Sequence, residues 1–490
     1  MQFPILSIAI LLPLISALYI MLFVNQSDQI SKEMHAKYVA FLSSVFTLMC
    51  TIFIFLNFEN NHDGFQFVER ASMLPSIGLE YHIGVDGISI LFVVLTAILT
   101  PICIIGTFTS ITKRVKEYLV CFLLLESLVI AFFCSMNLLL FYIFFEAILI
   151  PMYLIIGCWG GEKRVYAAIK FFIYTFVGSV MFLIALITIY VKVGSFDIPY
   201  LAKDMQSSIS ALPHWVWICT FIAMAVKVPM IPFHTWLPDA HVQAPTAGSV
   251  MLAGILLKVG GYGMIRVLLQ IFPEASAHFS HYVIYLSVAA VVYAAFVAMA
   301  QSDMKKMIAY SSISHMGYVT AGIFTGTVAG LEGSMFQMLS HGVVSAGLFL
   351  VVGMLYDRMH TKEIDAYGGV AQRMPLLATF FMVLMLGSVG LPGTSGFVGE
   401  FLSLVGIFKY QMILSAIAAL GVVLGAVYML SLYKRVMFGE ITKSHVKKMM
   451  DLELHEILAF LPIVALVIYW GIKPEVLLSV FRFEIAAIVG

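Results

Sequence analysis

Stretches of about twenty residues without a charged side chain recur along this sequence, beginning with the first, MQFPILSIAILLPLISALYIMLFV. About twenty apolar residues span a bilayer as a helix, and in lipid the backbone must satisfy its own hydrogen bonds. Only 11% of the 490 residues are charged and 61% are hydrophobic, whereas soluble domains carry roughly a quarter charged residues. The 27 Lys and Arg balance 27 Asp and Glu, so the basic footprint of a nucleic-acid binder is missing. The reading is an all-α polytopic membrane protein with the lipid bilayer as solvent.

The apolar runs predict about 14 transmembrane helices, near 4–24, 38–57, 86–108, 117–133, 136–157, 165–191, 212–228, 249–272, 281–301, 304–325, 332–357, 374–408, 411–433 and 456–472. The first run lacks the basic start of a signal peptide and reads as a membrane helix. The longest polar break, 58–85, is acidic, with Glu59, Asp63, Glu69, Arg70 and Glu80; the second, 434–455, is basic and suits a short interfacial helix. With the N-terminus outside, seventeen of the 27 Lys and Arg fall in cytoplasmic loops and seven, Arg266 among them, in outer ones. That bias puts both termini on the outer side. Cys50, Cys103, Cys121, Cys134, Cys158 and Cys219 form no CxxC pair and read as small hydrophobes.

Two helices are interrupted: AMAVKVPMIPFHTWLPDAH at 223–241 and GSVGLPGTSGFVGEF at 387–401. Proline removes a backbone donor, and lipid cannot satisfy the freed carbonyls, so such breaks lie inside protein or beside water. Paired broken helices point to a translocation site. They are five helices apart, which implies two inverted five-helix repeats, each with a broken helix. The chain then divides into 1–116, a three-helix segment; 117–272 and 281–433, the repeats; and 434–490, a basic loop and last helix.

Ionisable side chains inside such helices cost at least ~2.5–3.5 kcal/mol each. Glu146, in FYIFFEAILIP, is too deep to reach the interface and needs a partner. Lys227 precedes the first proline of the broken helix, where freed carbonyls and water let it change protonation cheaply. Either residue could instead belong to a static ion pair. Lys258 sits among Gly254, Gly260, Gly261 and Gly263, which leave room for close packing or water; Glu400 follows the second break. His315 and His341 suit proton carriage; a bis-His haem lacks any attachment motif. Glu126 is placed at the depth of Glu146, and Lys170 can snorkel to the surface. His234, Asp239 and His241 read as interfacial or turn residues, and their spacing is a weak metal pattern. No phosphate loop and no solute pocket is evident, so protons are favoured over solutes.

The segments FYIFFEAILIPMYLIIGCWGG (141–161) and KVPMIPFHTWLPDAHVQAPTAGSVMLAGILLKVGGYG (227–263) resemble the antiporter-like subunits of proton-pumping NADH:quinone oxidoreductase, respiratory complex I. The superfamily also holds subunits of multi-subunit Na⁺/H⁺ antiporters and membrane-bound hydrogenases, which remain the alternative. FEAILIP, a glutamate at 400 where L and N relatives have lysine, and an end without a lateral helix favour the M-type (chain 4) branch. The resemblance implies a hydrophilic axis at mid-membrane: Glu146, Lys227, Lys258, His315, His341 and Glu400, with Glu126 a looser match. It implies no redox centre on this chain, with NADH, FMN, iron–sulfur clusters and quinone on other subunits. It also implies L-type and N-type neighbours on either side, in a bacterial inner (cytoplasmic) membrane.

Overall fold

The computed structural model describes residues 4–24, 29–62 and 64–490, without the side chains of 29–32. Asp63 and the Lys32 side chain therefore lie outside the described residues. Two helices, α1 (Ile5–Phe23) and α2 (Gln29–Leu56), lead into a hairpin of β1 (Gln66–Leu74) and β2 (Leu79–Val85). Then come α3 (Ile90–Gly106), α4 (Val115–Cys134), α5 (Leu138–Ala147), α6 (Leu149–Trp159) and α7 (Arg164–Val193). Short turns α8 (Ile198–Lys203) and α9 (Gln206–Ser210) precede the first broken helix, α10 (His214–Lys227) and α11 (Trp236–Gln243). One helix, Thr246–Leu269, contains α12 (Thr246–Met251) and α13 (Leu257–Gly263), with π-helical turns at Leu252–Leu256 and Met264–Leu269. It is followed by α14 (Pro273–Met299), α15 (Met304–Phe324) and α16 (Val328–Met359). The second broken helix is α17 (Pro375–Val389) and α18 (Ser395–Tyr410); α19 (Met412–Met437), α20 (Leu454–Ile472) and α21 (Glu475–Val489) complete the chain.

Every segment predicted from its apolar run is helical. Among the described residues ten helices are long and apolar enough to cross a membrane, and α3, α10 and α17 are shorter apolar ones. Three features depart from the sequence reading. The acidic break 58–85 holds an antiparallel hairpin, with Arg70 opposite His82 and a reversal through Gly78 at φ 68°. The chain forms a further helix, α21, whose charged residues hid its apolar face: Leu477, Leu478, Val480, Phe481 and Ile485 are buried. Segment 434–455 continues α19 as far as Met437 and then forms one turn, Val446–Lys448, before α20, instead of an interfacial helix. Its backbone is used elsewhere: Gly369 N–H donates to Phe438 O at 2.9 Å, and Arg358 donates to the carbonyls of Met450 and Asp451 at 2.8 and 3.0 Å.

Polar connections collect at the two ends of the bundle. At the hairpin end, Met136 N–H donates to His82 O, Leu138 N–H to Phe196 O, and Gly87 N–H to Glu484 Oε1 of α21, at 2.9, 2.7 and 2.9 Å. At the other end Lys116 reaches Val24 O, Lys305 reaches Ala244 O, and Arg358 pairs with Glu456, at 2.9, 2.8 and 2.7 Å. The loops that the Lys/Arg bias groups together thus meet one another in space. Between the ends, α16 is buried along its whole apolar span. It packs so closely on α18 that a Cβ on Gly406 would come within 2.4 Å of Gly330 Cα. Small residues let membrane helices approach in this way.

Arg266, counted by sequence among outer-loop cations, is sunk in the second π turn and only 1% exposed. Both Asp86 carboxylate oxygens accept from its Nη2, at 2.7 and 2.6 Å, while Tyr262 Oη and Gln270 Oε1 take its other N–H groups. Removing one member of a buried pair strands the other charge. Asp86→Ala is expected to cost about 3–5 kcal/mol, read as a lower unfolding midpoint in mixed detergent. Breaking the exposed Arg435–Asp365 pair by Arg435→Ala should cost under about 1 kcal/mol.

Candidate functional site

Pro229 and Pro232 stop α10 immediately after Lys227. Protein groups cover the carbonyls so freed: Trp236 Nε1–H donates to Val226 O at 3.0 Å, and Met230 N–H to Ala225 O at 2.8 Å. Lys227, 6% exposed, points its ammonium at α5. Nζ lies 3.5 Å from Phe145 O and 4.5 Å from the Phe145 ring centre. Glu146, the next residue, is half-buried in the last turn of α5, with Oε1 buried and unpaired. The sequence calls for Glu146 and Lys227 to approach within ion-pair or one-water distance, and of these the direct ion pair does not form. Lys227 spends its contacts on the carbonyl and ring of Phe145.

Beyond the first break Lys258, His341, His315 and Glu400 follow one another toward the second. The first π turn frees Ala253 O, which accepts from Lys258 Nζ at 2.5 Å, and the same ammonium lies 2.8 Å from His341 Nδ1 on α16. A charged Lys258 is donor only, so Nδ1 accepts and Nε2 holds the ring proton of His341. That Nε2 is buried without a partner. The His341 and His315 rings stand 5.6 Å apart between centres. His315 Nδ1, on α15, lies 2.8 Å from Glu400 Oε1, and its Nε2 lies 3.4 Å from Ser388 Oγ. Gln337 Nε2 donates to the same Glu400 oxygen at 3.3 Å. A cavity of about 10 Å³ lies among His315, His341, Ser340, Ser345, Gln337 and Glu400, about the space one water needs. Glu400 faces Gly390, whose positive φ of 78° ends α17 at the second break.

The remaining sequence candidates lie off this line. Glu126 is fully buried, but both oxygens lack a hydrogen bond and its polar neighbour is Thr100 on α3. It is not paired with Glu146, because α4 turns that face toward α3. Lys170 forms an ion pair with Asp239 at 2.6 Å. His241 is no interfacial residue: it is fully buried and stacked on Phe349 at 4.3 Å, with both ring nitrogens unpaired. His234 is also buried. Lys305, one of the seventeen Lys and Arg counted by sequence in cytoplasmic loops, is 3% exposed, and its ammonium reaches Ala244 O and Ser249 Oγ at 2.8 and 3.4 Å. Asp303, which caps α15 by accepting from Lys306 N–H at 2.9 Å, is the signal that places Lys305 on the helix.

A family model described as "NADH:quinone oxidoreductase/Mrp antiporter, TM" matches residues 135–427. "NADH-quinone oxidoreductase subunit M" of Rickettsia felis is 60% identical over 490 residues, covering 100% of this chain and 99% of that protein. The protein of the same name from Rhodobacter capsulatus is 47% identical, covering 99% of this chain and 96% of its own length. A chain of "Respiratory complex I from Thermus thermophilus with bound NADH" superposes with a TM-score of 0.88 at 31% identity, covering 99% of this chain and 100% of that one.

Between Lys227 and Lys258 no hydrogen bond is formed, and the glycine face of α13 is pressed against the break. A Cβ on Gly260 would lie 2.8 Å from Met224 O and from Val228 N. Gly260→Ala is expected to destabilise by about 1–3 kcal/mol through overpacking. It should also push α13 off the break, lowering proton pumping by the assembled complex while Lys227 and Lys258 are intact.

Proposed function

This chain belongs to the NADH:quinone oxidoreductase/Mrp antiporter membrane family, and from that premise we propose how it carries protons. It is a proton-translocating membrane subunit of NADH-quinone oxidoreductase, and so part of an enzyme complex whose other subunits are its partners. The antiporter and hydrogenase readings have less support, since full-length relatives at 60% and 47% identity bear the oxidoreductase name.

The observation that carries the mechanism is the run Lys258, His341, His315, Glu400, with 2.8 Å contacts at both ends and a water-sized cavity beside the rings. Lys258 gives a proton to His341 Nδ1. His341 releases its Nε2 proton toward His315, directly or through one water, and His315 Nδ1 passes a proton to Glu400. Glu400 lies beside the second break, where exposed backbone favours water. The Glu146–Lys227 pair is the control element: a change of charge on Glu146 alters how firmly Lys227 keeps its proton. Because Lys227 and Lys258 are not hydrogen-bonded to each other, this coupling acts through the field and the packing of α10 on α13. Glu126, on the α3 side, serves as a secondary site. Inverted repeats of 117–272 and 281–433 account for the two breaks. The NADH, FMN, iron–sulfur and quinone chemistry is assigned to other subunits, and L-type and N-type relatives to the two flanks.

The orientation proposed is outward for both termini, in a bacterial inner membrane. It is supported by the Lys/Arg bias and by the clustering of the α1 start, the hairpin and α21 at one end. A reporter that works only in the cytoplasm, fused after Gly490, should be silent; activity there would reverse the orientation.

The mechanism is tested in inverted membrane vesicles carrying the intact complex, by following ΔpH together with NADH oxidation. Glu146→Gln, Lys227→Ala and His341→Ala should each lower pumping several-fold, whereas Lys170→Ala should leave it near wild type. Full pumping in His341→Ala would remove the lateral route.

A further inference from the structure

A polar cluster at the hairpin end lies apart from the proton path. Glu80 and His82 alternate along β2 and so share a face, and Asp197 comes to them from the turn after α7. One ligand atom from each lies within 4.8 Å of the others. His82 is the distinctive member. Its side chain is only 7% exposed, and Nδ1 lies 3.0 Å from Asp197 Oδ2 but out of line for a hydrogen bond, so that buried nitrogen is unpaired. Asp197 divides its oxygens: Oδ1 caps α8 by accepting from Tyr200 N–H at 3.0 Å, which leaves Oδ2 facing the cluster.

The present counter-charge is Arg70. Its Nη2 lies 2.6 Å from Glu80 Oε2 and 3.7 Å from Asp197 Oδ2, with the side chain 55% exposed. One guanidinium faces two carboxylates, and none of its N–H groups reaches His82 Nδ1.

We propose that Glu80, His82 and Asp197 form a binding site for a divalent cation of the zinc class, which displaces Arg70 to solvent. One imidazole nitrogen, two carboxylate oxygens and a water make the four-coordinate donor set such an ion takes, at about 2.0–2.2 Å from each ligand. A dication balances both carboxylates and uses the idle Nδ1, which Arg70 does not. The ion ties β2 to the α7–α8 turn beside Asn137, whose side chain caps α5, the helix that carries Glu146.

The test is retention of Zn²⁺ by the purified intact complex after desalting, measured per complex against added Zn²⁺. Wild type should hold one ion more than Glu80→Gln and Asp197→Asn, whose affinity falls about tenfold or more. Asn preserves the helix cap, and Glu80 is part-exposed, so neither variant depends on refolding of the core. Arg70→Ala should bind more tightly than wild type, because the competing cation is gone. Equal zinc content in wild type and both ligand variants, or weaker binding in Arg70→Ala, would overturn the proposal.

Discussion

Lipid offers neither a hydrogen bond to a backbone amide nor a counter-charge to an ion. Most of this architecture answers that constraint. Where α10 stops at Pro229, the indole of Trp236 takes the Val226 carbonyl. Where the π turn releases Ala253 O, the ammonium of Lys258 takes it. In both places a polar side chain meets the released carbonyl, and the second of them, Lys258, belongs to the proposed proton path.

The same constraint separates holding from moving charges. Arg266 has a partner for each of its three nitrogens: both Asp86 oxygens on Nη2, Tyr262 on Nε and Gln270 on Nη1. A charge so satisfied is an anchor. Lys227, Glu146 and His341 each keep something open: a long 3.5 Å contact, an unpaired carboxylate oxygen, an unpaired ring nitrogen. Incomplete pairing is costly when buried, and it leaves a group able to exchange a proton or respond to a neighbour. Burial alone does not distinguish the two kinds of site; open hydrogen-bonding capacity next to another ionisable group does, and His241 and Glu126, unpaired but off the line, lack that neighbour.

Packing sets where these ionisable groups meet and where they stay apart. Glycines on α16 and α18 bring the two helices close enough for Gln337 to reach Glu400, which fixes that carboxylate beside His315. Glycines on α13 bring it against the first break, and there the close fit excludes polar side chains. One half of the proposed axis is therefore a file of ionisable groups in close contact, and the other a packed joint between Lys227 and Lys258.

The sequence by itself determined that the chain is helical and membrane-spanning, where its long apolar helices lie, though not α21 or the hairpin, and which two are broken. Those properties are local: twenty apolar residues, or a proline two residues after a lysine, act over a few turns. It also singled out Glu146, Lys227, Lys258, His315, His341 and Glu400, because an ion in an apolar run is costly wherever the run is placed. Only the tertiary structure decided which of these meet. Lys258 finds His341 and His315 finds Glu400, across 83 and 85 positions of chain, whereas Glu146 and Lys227 stop short of an ion pair and Glu126 turns away. Arg266, Lys305 and His241 were misplaced as surface groups because each lies near the end of an apolar run. Whether such a residue faces water or a carboxylate on another helix depends on rotation and contact, and a one-dimensional pattern does not record them.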